Sequence, residues 1–219
     1  MKLIEEAILL DETLVISDLH IGCATALQDK NDIFRRIDAQ ITLCQPRRVI
    51  LNGDILHEYS GVDAAVDAQL ERLFARIEQT CELILIRGNH DIHLSRTRAV
   101  RTRTVHDEYV QNDTLILHGH QVPQTPLDAV RRILIGHVHP AIQLSDGIRV
   151  EKIKCFLRAH YKFAELWILP SYRRDTLGSE LSNTPLLEDT SQAEVFIYFS
   201  GKPHYFGFLG QLQKMREHL

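Results

Sequence analysis

The chain has 219 residues, a formal charge of −4 and 12 histidines. Its 44% hydrophobic and 25% charged residues are those of a soluble globular protein, which excludes disorder, collagen and coiled coil. The acidic balance, with a pI near 6.3, argues against a domain whose main task is to coat nucleic-acid backbone.

In chain order, AILL (7–10) and TLVIS (13–17) read as a hairpin across Asp11-Glu12. Residues 31–44 carry Ile33, Ile37, Ile41 and Cys44 at helical spacing, and RVILN (48–52) is a strand. A helix over 61–79 lines up Val62, Val66, Leu70, Leu73 and Ile77, with Ser60 and Asp63 forming a capping box at its start. ELILIRG (82–88), TLILHG (114–119) and RILIGH (132–137) are further apolar strands. After Pro140, IRVEKIKCFL (148–157), FAELWIL (163–169), EVFIYFS (194–200) and HYFGFLG (204–210) read as antiparallel strands. The polar stretch 171–192 reads as a long functional loop.

A single domain over residues 1–219 accommodates these elements, since a chain of this length buries enough core to fold without a staple. Cys23, Cys44, Cys81 and Cys155 form no close pair and read as reduced thiols of a cytoplasmic protein. Glu5 and Glu6 interrupt the first apolar stretch, and no apolar run reaches 18 residues, so neither a signal-peptide core nor a membrane span is expected.

Five apolar runs are each followed at once by side chains able to bind metal. Asp18 and His20 follow the first, Asp54 the second, and Asn89, His90 and Asp91 the third; His118 follows the fourth, His137 and His139 the fifth. Ligands gather at the carboxyl ends of strands in open α/β sheets, so strands running side by side bring all five clusters to one edge. Glycines 53, 88, 119 and 136 suit tight turns or close backbone approach there. Two carboxylates, four histidines and an amide oxygen exceed the needs of one tetrahedral zinc. This mixed N/O set suits two divalent transition ions. Two such ions, two carboxylates and a bridging hydroxide leave a residual charge of about +1, which attracts a phosphate ester.

Asp18-Leu19-His20, Gly53-Asp54, Gly88-Asn89-His90-Asp91, His118 and Gly136-His137-Val138-His139, in this order, resemble the five motifs of calcineurin-like metallophosphoesterases. The resemblance implies an α/β (α+β) fold, a four-layer α-β-β-α sandwich with two mixed β-sheets. It implies that Asp18, His20 and His139 hold the first metal, that Asp54 bridges, and that Asn89, His118 and His137 hold the second. His90 then serves the leaving oxygen, and Asp91 orients the His90 ring. The implied cofactors are two divalent ions, manganese first, with iron, zinc, cobalt or nickel as alternatives. The implied activity is hydrolysis of phosphate esters, phosphodiesters above all and nucleic acid among them, by in-line attack of a metal-bridging hydroxide. A nucleotide phosphatase or cyclic-nucleotide phosphodiesterase is the alternative. A non-catalytic interaction module on the same fold is disfavoured because every ligand and His90 are present.

Gly53-Asp54-Ile55-Leu56-His57 resembles the G-D-x-x-H form of SbcD-type nucleases, with a histidine at a helix entry as the plainer reading. Leu169-Pro170-Ser171, with Gly178 beyond, resembles the tail of small DNA-ligase-associated phosphoesterases of the PdeM group. Arg96, Arg98, Arg101 and Arg103 follow the third cluster, and Arg173 and Arg174 lie in the late loop. They read either as phosphate contacts or as a solvated, charge-balanced face. His120 reads as a neighbour of the site or as a solvent-facing side chain. The expected partners are a phosphate ester, nucleotide or nucleic acid among the candidates, and no membrane.

Overall fold

The computed structural model describes residues 1–23, 32–57, 62–145, 149–175, 178, 184–187 and 189–217. The first half contains β1 (Lys2–Ile4), β2 (Ala7–Leu10), β3 (Thr13–Ile16), α1 (Asp32–Cys44), β4 (Arg48–Asn52), α2 (Ala64–Glu78), β5 (Glu82–Ile86) and β6 (Val105–His106). It is followed by β7 (Glu108–Gln111), β8 (Thr114–Leu117), β9 (Arg132–Ile135), β10 (Ala141–Ser145), β11 (Val150–Lys154) and β12 (Phe156–Tyr161). The last elements are β13 (Ala164–Ile168), β14 (Glu194–Phe199), β15 (Lys202–Phe208) and α3 (Leu209–Glu217).

Two mixed sheets result. One has the order β1-β2-β3-β4-β5-β6, and the other β15-β14-β12-β13-β9-β8-β7. β3, β4, β5 and β6 run parallel in the first sheet, and β8, β9 and β13 run parallel in the second. β10 and β11 form a separate hairpin.

The strands alternate faces with period two. Val15, Ile50, Ile84 and Ile86 of the first sheet meet Ile116, Leu134, Phe156 and Trp167 of the second in the core between the sheets. Their neighbours Leu14, Ile16, Val49, Leu51 and Leu85 point the other way, under Ile33 and Ile37 of α1 and Leu70, Leu73 and Phe74 of α2. The outer face of the second sheet is covered by Val130, by Ile142 and Ile153 of the hairpin, by Leu186, and by Leu209 and Leu212 of α3.

The helix expected over 61–79 begins later, because Asp63 caps α2 by accepting the Val66 amide at 2.7 Å. Ser60, expected in that cap, lies outside the described residues. The single strand expected over 148–157 breaks at buried Cys155, so that β11 pairs in the hairpin and β12 in the second sheet. The run 204–210 ends early because Leu209 and Gly210 begin α3, where a Cβ on Gly210 would lie 2.8 Å from Ser191. The five site-bearing strands belong to two sheets, three in the first and two in the second, rather than to one edge of a single sheet.

Candidate metal centre

The loops beyond β3, β4 and β5 continue the parallel ladder before they turn. The Asp18 amide donates to the Gly53 carbonyl at 3.2 Å, and the Gly53 amide to the Ile86 carbonyl at 3.0 Å. In the second sheet the Gly136 amide donates to the His118 carbonyl at 3.0 Å. The strand ends are thus held side by side while their side chains turn into the gap between the sheets. The turning itself is strained: Asp18, His20, Asp54, His137 and His139 all have positive φ, from 45 to 64°. Such conformations persist where the surroundings over-determine them, and they concentrate at functional sites.

Two glycines make room. A Cβ on Gly53, itself at φ 74°, would lie 2.3 Å from His118 Nδ1, and one on Gly88 would lie 2.2 Å from Asp54 Oδ1. No side chain fits either position without displacing a member of the site.

The side chains form overlapping donor groups. In one, Asp18, His20, Asp54 and His139 each bring a ligand atom within 4.8 Å of the others; in a second, Asp54, His118 and His137 do so. His139 Nε2 lies 3.0 Å from Asp18 Oδ1 and 3.3 Å from His20 Nε2. His118 Nε2 lies 3.3 Å from Asp54 Oδ1 and 3.1 Å from Asn89 Oδ1. The two sheets are tied here by the His137 amide, which donates to the Asp18 carboxylate at 3.2 Å. Carboxylates and imidazoles converging on common points, with Asp54 in both groups, fit a pair of divalent transition ions.

Burial raises the cost of charge on Asp18 and Asp54, yet neighbouring histidines reverse its effect. His139, His118 and His20 hold Asp18 well below the usual carboxylate range. The hydrogen bond and charge of His118 hold Asp54 down. Burial opposes charge on His118 too, but hydrogen bonding to Asp54 and the charges of Asp18 and Asp54 push it up to about 9. Burial holds His20 and His137 down to about 4. The pocket therefore keeps two carboxylates ionised and the His20 and His137 imidazoles neutral, the protonation that metal ligation requires of them.

His90 lies beside these groups, its amide donating to Asp54 Oδ1 at 2.9 Å and its Nε2 3.8 Å from Asp54 Oδ2. Its ring stacks on that of His57, with centroids 5.4 Å apart and planes 15° apart, and His57 Nδ1 lies 3.3 Å from His20 Nδ1. The structure thus brings His57 to the site as a third group with His20 and His90. The His120 ring centroid lies 5.3 Å from that of His118.

Buried Asp91 accepts the amides of Gly88 at 2.8 Å, Leu56 at 2.8 Å and Ile55 at 3.3 Å. Its carboxylate thus braces the loops carrying Asp54 and His90. Arg98 turns to Asp67 of α2 at 3.0 Å, and Arg103 to Glu78 and Glu71 of the same helix. Arg98 stays exposed despite that pairing, as do Arg96 and Arg101, and Arg96 and Arg98 both line an open cavity of about 510 Å³ beside the start of α2. Arg173 is 4% exposed; it pairs with Asp175 and donates to the carbonyls of His20 and Cys23, which braces the loop after β3. Arg174 is exposed and faces Asp32 at 3.8 Å.

Sequence reasoning missed Ser17 and Ser171, whose hydroxyls donate to the Asn52 and Asp18 carbonyls at 2.7 and 3.0 Å. The available signal was positional: Ser171 follows an apolar strand, as the five clusters do.

A model of the calcineurin-like phosphoesterase family matches residues 12–189. Among solved structures, the chain is similar to the nuclease MPE of Pseudomonas putida, at 26% identity and a TM-score of 0.68, over 89% of this chain and 88% of that one. It also aligns with YfcE, a phosphoesterase from E. coli, at 13% identity and a TM-score of 0.45, over 90% of this chain and 98% of that one. No curated protein matches at a significant level. Among the described residues, no helix is long and apolar enough to cross a membrane.

Proposed function

Because the chain belongs to the calcineurin-like phosphoesterase family, we propose that it hydrolyses phosphodiesters, nucleic acid first among them, at a centre of two divalent metal ions. The observation that carries this reading is Asp54, whose carboxylate belongs to both donor groups. Asp18, His20, Asp54 and His139 would hold one ion, and Asp54, Asn89, His118 and His137 the other. When bound, two such ions supply a water-derived nucleophile at neutral pH and neutralise charge on the phosphoryl oxygens.

The chain's own residues do the rest. Asp18 and Asp54 are ionised before any metal arrives, so the carboxylates need lose no proton. His90 sits at the mouth of the site with its side chain 19% exposed. It is placed to stabilise or protonate the leaving oxygen, with His57 stacked behind it. Asp91 keeps His90 and Asp54 in register through the backbone.

The similarity to a nuclease and the contact between His57 and His90 support a nucleic-acid substrate. A reading as nucleotide phosphatase or cyclic-nucleotide phosphodiesterase is favoured by the acidic balance of the chain and by the pairing of Arg98 and Arg103 with α2. Manganese is proposed from the N/O donor set, and a cytoplasmic setting from the four free cysteines.

Manganese-reconstituted protein, assayed on single- and double-stranded DNA, RNA, mononucleotides and a nitrophenyl phosphodiester, tests the reading. Cleavage of the diesters is expected, and His90→Ala should slow it by about 10²–10⁴-fold without changing metal content. Absence of cleavage of every ester, or wild-type rates in His90→Ala, contradicts the reading. Cleavage of mononucleotides alone selects the phosphatase alternative.

A further inference from the structure

β13 lies parallel to β9, so its end reaches the edge where β9 delivers His137 and His139. There the chain passes through Leu169-Pro170 into Ser171, Tyr172 and Arg173, which are 1, 0 and 4% exposed. Their carbonyls are taken by cations. Lys154 Nζ donates to the Ser171 carbonyl at 2.8 Å and also to that of Arg173, while buried Arg36 donates to that of Tyr172 at 2.7 Å. Arg36 lies over the Tyr172 ring, 4.2 Å from its centroid, and pairs with Glu6. The Tyr172 hydroxyl donates to Gln40 Oε1 at 3.1 Å.

The donors of the same three residues point the opposite way, into the loop that carries Asp18 and His20. The Tyr172 amide donates to the Ser17 carbonyl at 2.9 Å, the Ser171 hydroxyl to that of Asp18 at 3.0 Å, and Arg173 to that of His20 at 2.8 Å. Asp18 and His20 are left-handed, at φ 60° and 45°, and non-glycine residues keep such conformations only where neighbours enforce them. An apolar contact could fill this space but could not fix the direction of three carbonyls. Buried cations are weak evidence for stability, but here their hydrogen bonds fix the direction of the strap's carbonyls.

We propose that Ser171–Arg173 is a positioning strap, anchored by Lys154 and Arg36, that sets the Asp18–His20 loop in the geometry of the first metal site. The inference rests on reading Asp18 and His20 as metal ligands. Its signature is asymmetry: the strap's hydrogen bonds from Tyr172, Ser171 and Arg173 grip the loop of the first donor group, and among the described residues none is seen to Asn89, His118 or His137. Lys154, Arg36, Ser171 and Arg173 are positioning residues; none of them is assigned to substrate or metal.

The test is a calorimetric manganese titration of metal-free wild type, Lys154→Met, Ser171→Ala and Lys154→Arg, with thermal unfolding of each metal-free chain alongside. Wild type is expected to bind two equivalents. Lys154→Met should weaken one of them by about tenfold, the scale on which supporting partners of ligands act, and leave the other in place. Ser171→Ala, which removes a single hydroxyl and keeps the fold, should weaken the same equivalent by a smaller factor. Lys154→Arg should restore part of the loss. Unchanged affinity for both equivalents in Ser171→Ala and Lys154→Met, or equal loss of both, overturns the strap. Fewer than two equivalents in the wild type overturns the metal reading on which it rests.

Discussion

At the scale of single residues, the centre depends on what is missing beside it as much as on its ligands. Gly88 is the clearest case, because its backbone needs no special conformation and the constraint is purely one of space: a methyl group there would lie 2.2 Å from both the amide nitrogen and Oδ1 of Asp54. Gly88→Ala is therefore expected to shift the shared carboxylate and lower diester hydrolysis by about 10²-fold or more, the cost of roughly an ångström of misplacement in a reacting centre. Steady-state rates at saturating manganese check this, and a near-wild-type rate would contradict the packing argument. His118 makes a second prediction. Its pKa of about 9 in the metal-free chain means that ligation must displace its proton at neutral pH. Manganese affinity should rise with pH up to about 9. Over the same interval the metal-free fold should lose stability, because the charged His118 stabilises it fully below the ordinary value of 6.5 and the contribution disappears as pH rises through the folded value. Calorimetry in buffers of different ionisation enthalpy should show close to one proton released per chain loaded; zero release contradicts the assignment. The residues of the two donor groups were legible in the sequence because each follows an apolar run. The left-handed backbone of Asp18, His20, Asp54, His137 and His139 was not, since Asp and His visit positive φ more than most side chains but only in a minority of their positions.

At the scale of elements, the strands that carry the site were legible for a physical reason: strands covered on both faces read as unbroken apolar runs, as TLVI, ELILI, TLIL and RILI do. The same property hides which sheet a strand joins, because both faces are apolar wherever it lies. β8 and β9 therefore looked no different from β3 to β5. Elements that are half exposed, such as β7 and β11, or polar, such as α3, gave weaker periodic signals. The arginine run misled for another reason: its charge was visible but its partners, on α2, are more than twenty residues away. Arg103, over Phe74 and bidentate to Glu78, belongs to the packing of α2. Arg103→Ala should lower stability by about 1–2 kcal/mol in thermal or denaturant unfolding and leave kcat on a small diester unchanged. Arg96→Ala with Arg101→Ala should do the opposite for long nucleic acids, weakening their binding and its salt dependence with little change in unfolding. A loss of small-diester activity in Arg103→Ala would place that residue in the site after all.

At the scale of the whole molecule, the centre exists because two sheets pack face to face with their parallel strand ends at a common edge. Asp18, Asp54 and Asn89 come from one sheet, and His118, His137 and His139 from the other. Neither sheet alone carries both donor groups, so a metal ion held there would draw on side chains from both sheets and couple its binding to the packing of the core between them. Removing metal with a chelator should accordingly lower the thermal midpoint of the whole chain. The central claim is that this edge forms a two-metal hydrolytic centre. It is tested most directly by titrating metal-free wild-type protein with manganese while following hydrolysis of a nitrophenyl phosphodiester. The rate should climb to a plateau at two equivalents per chain. A plateau at one equivalent, or no hydrolysis at any loading, would contradict it.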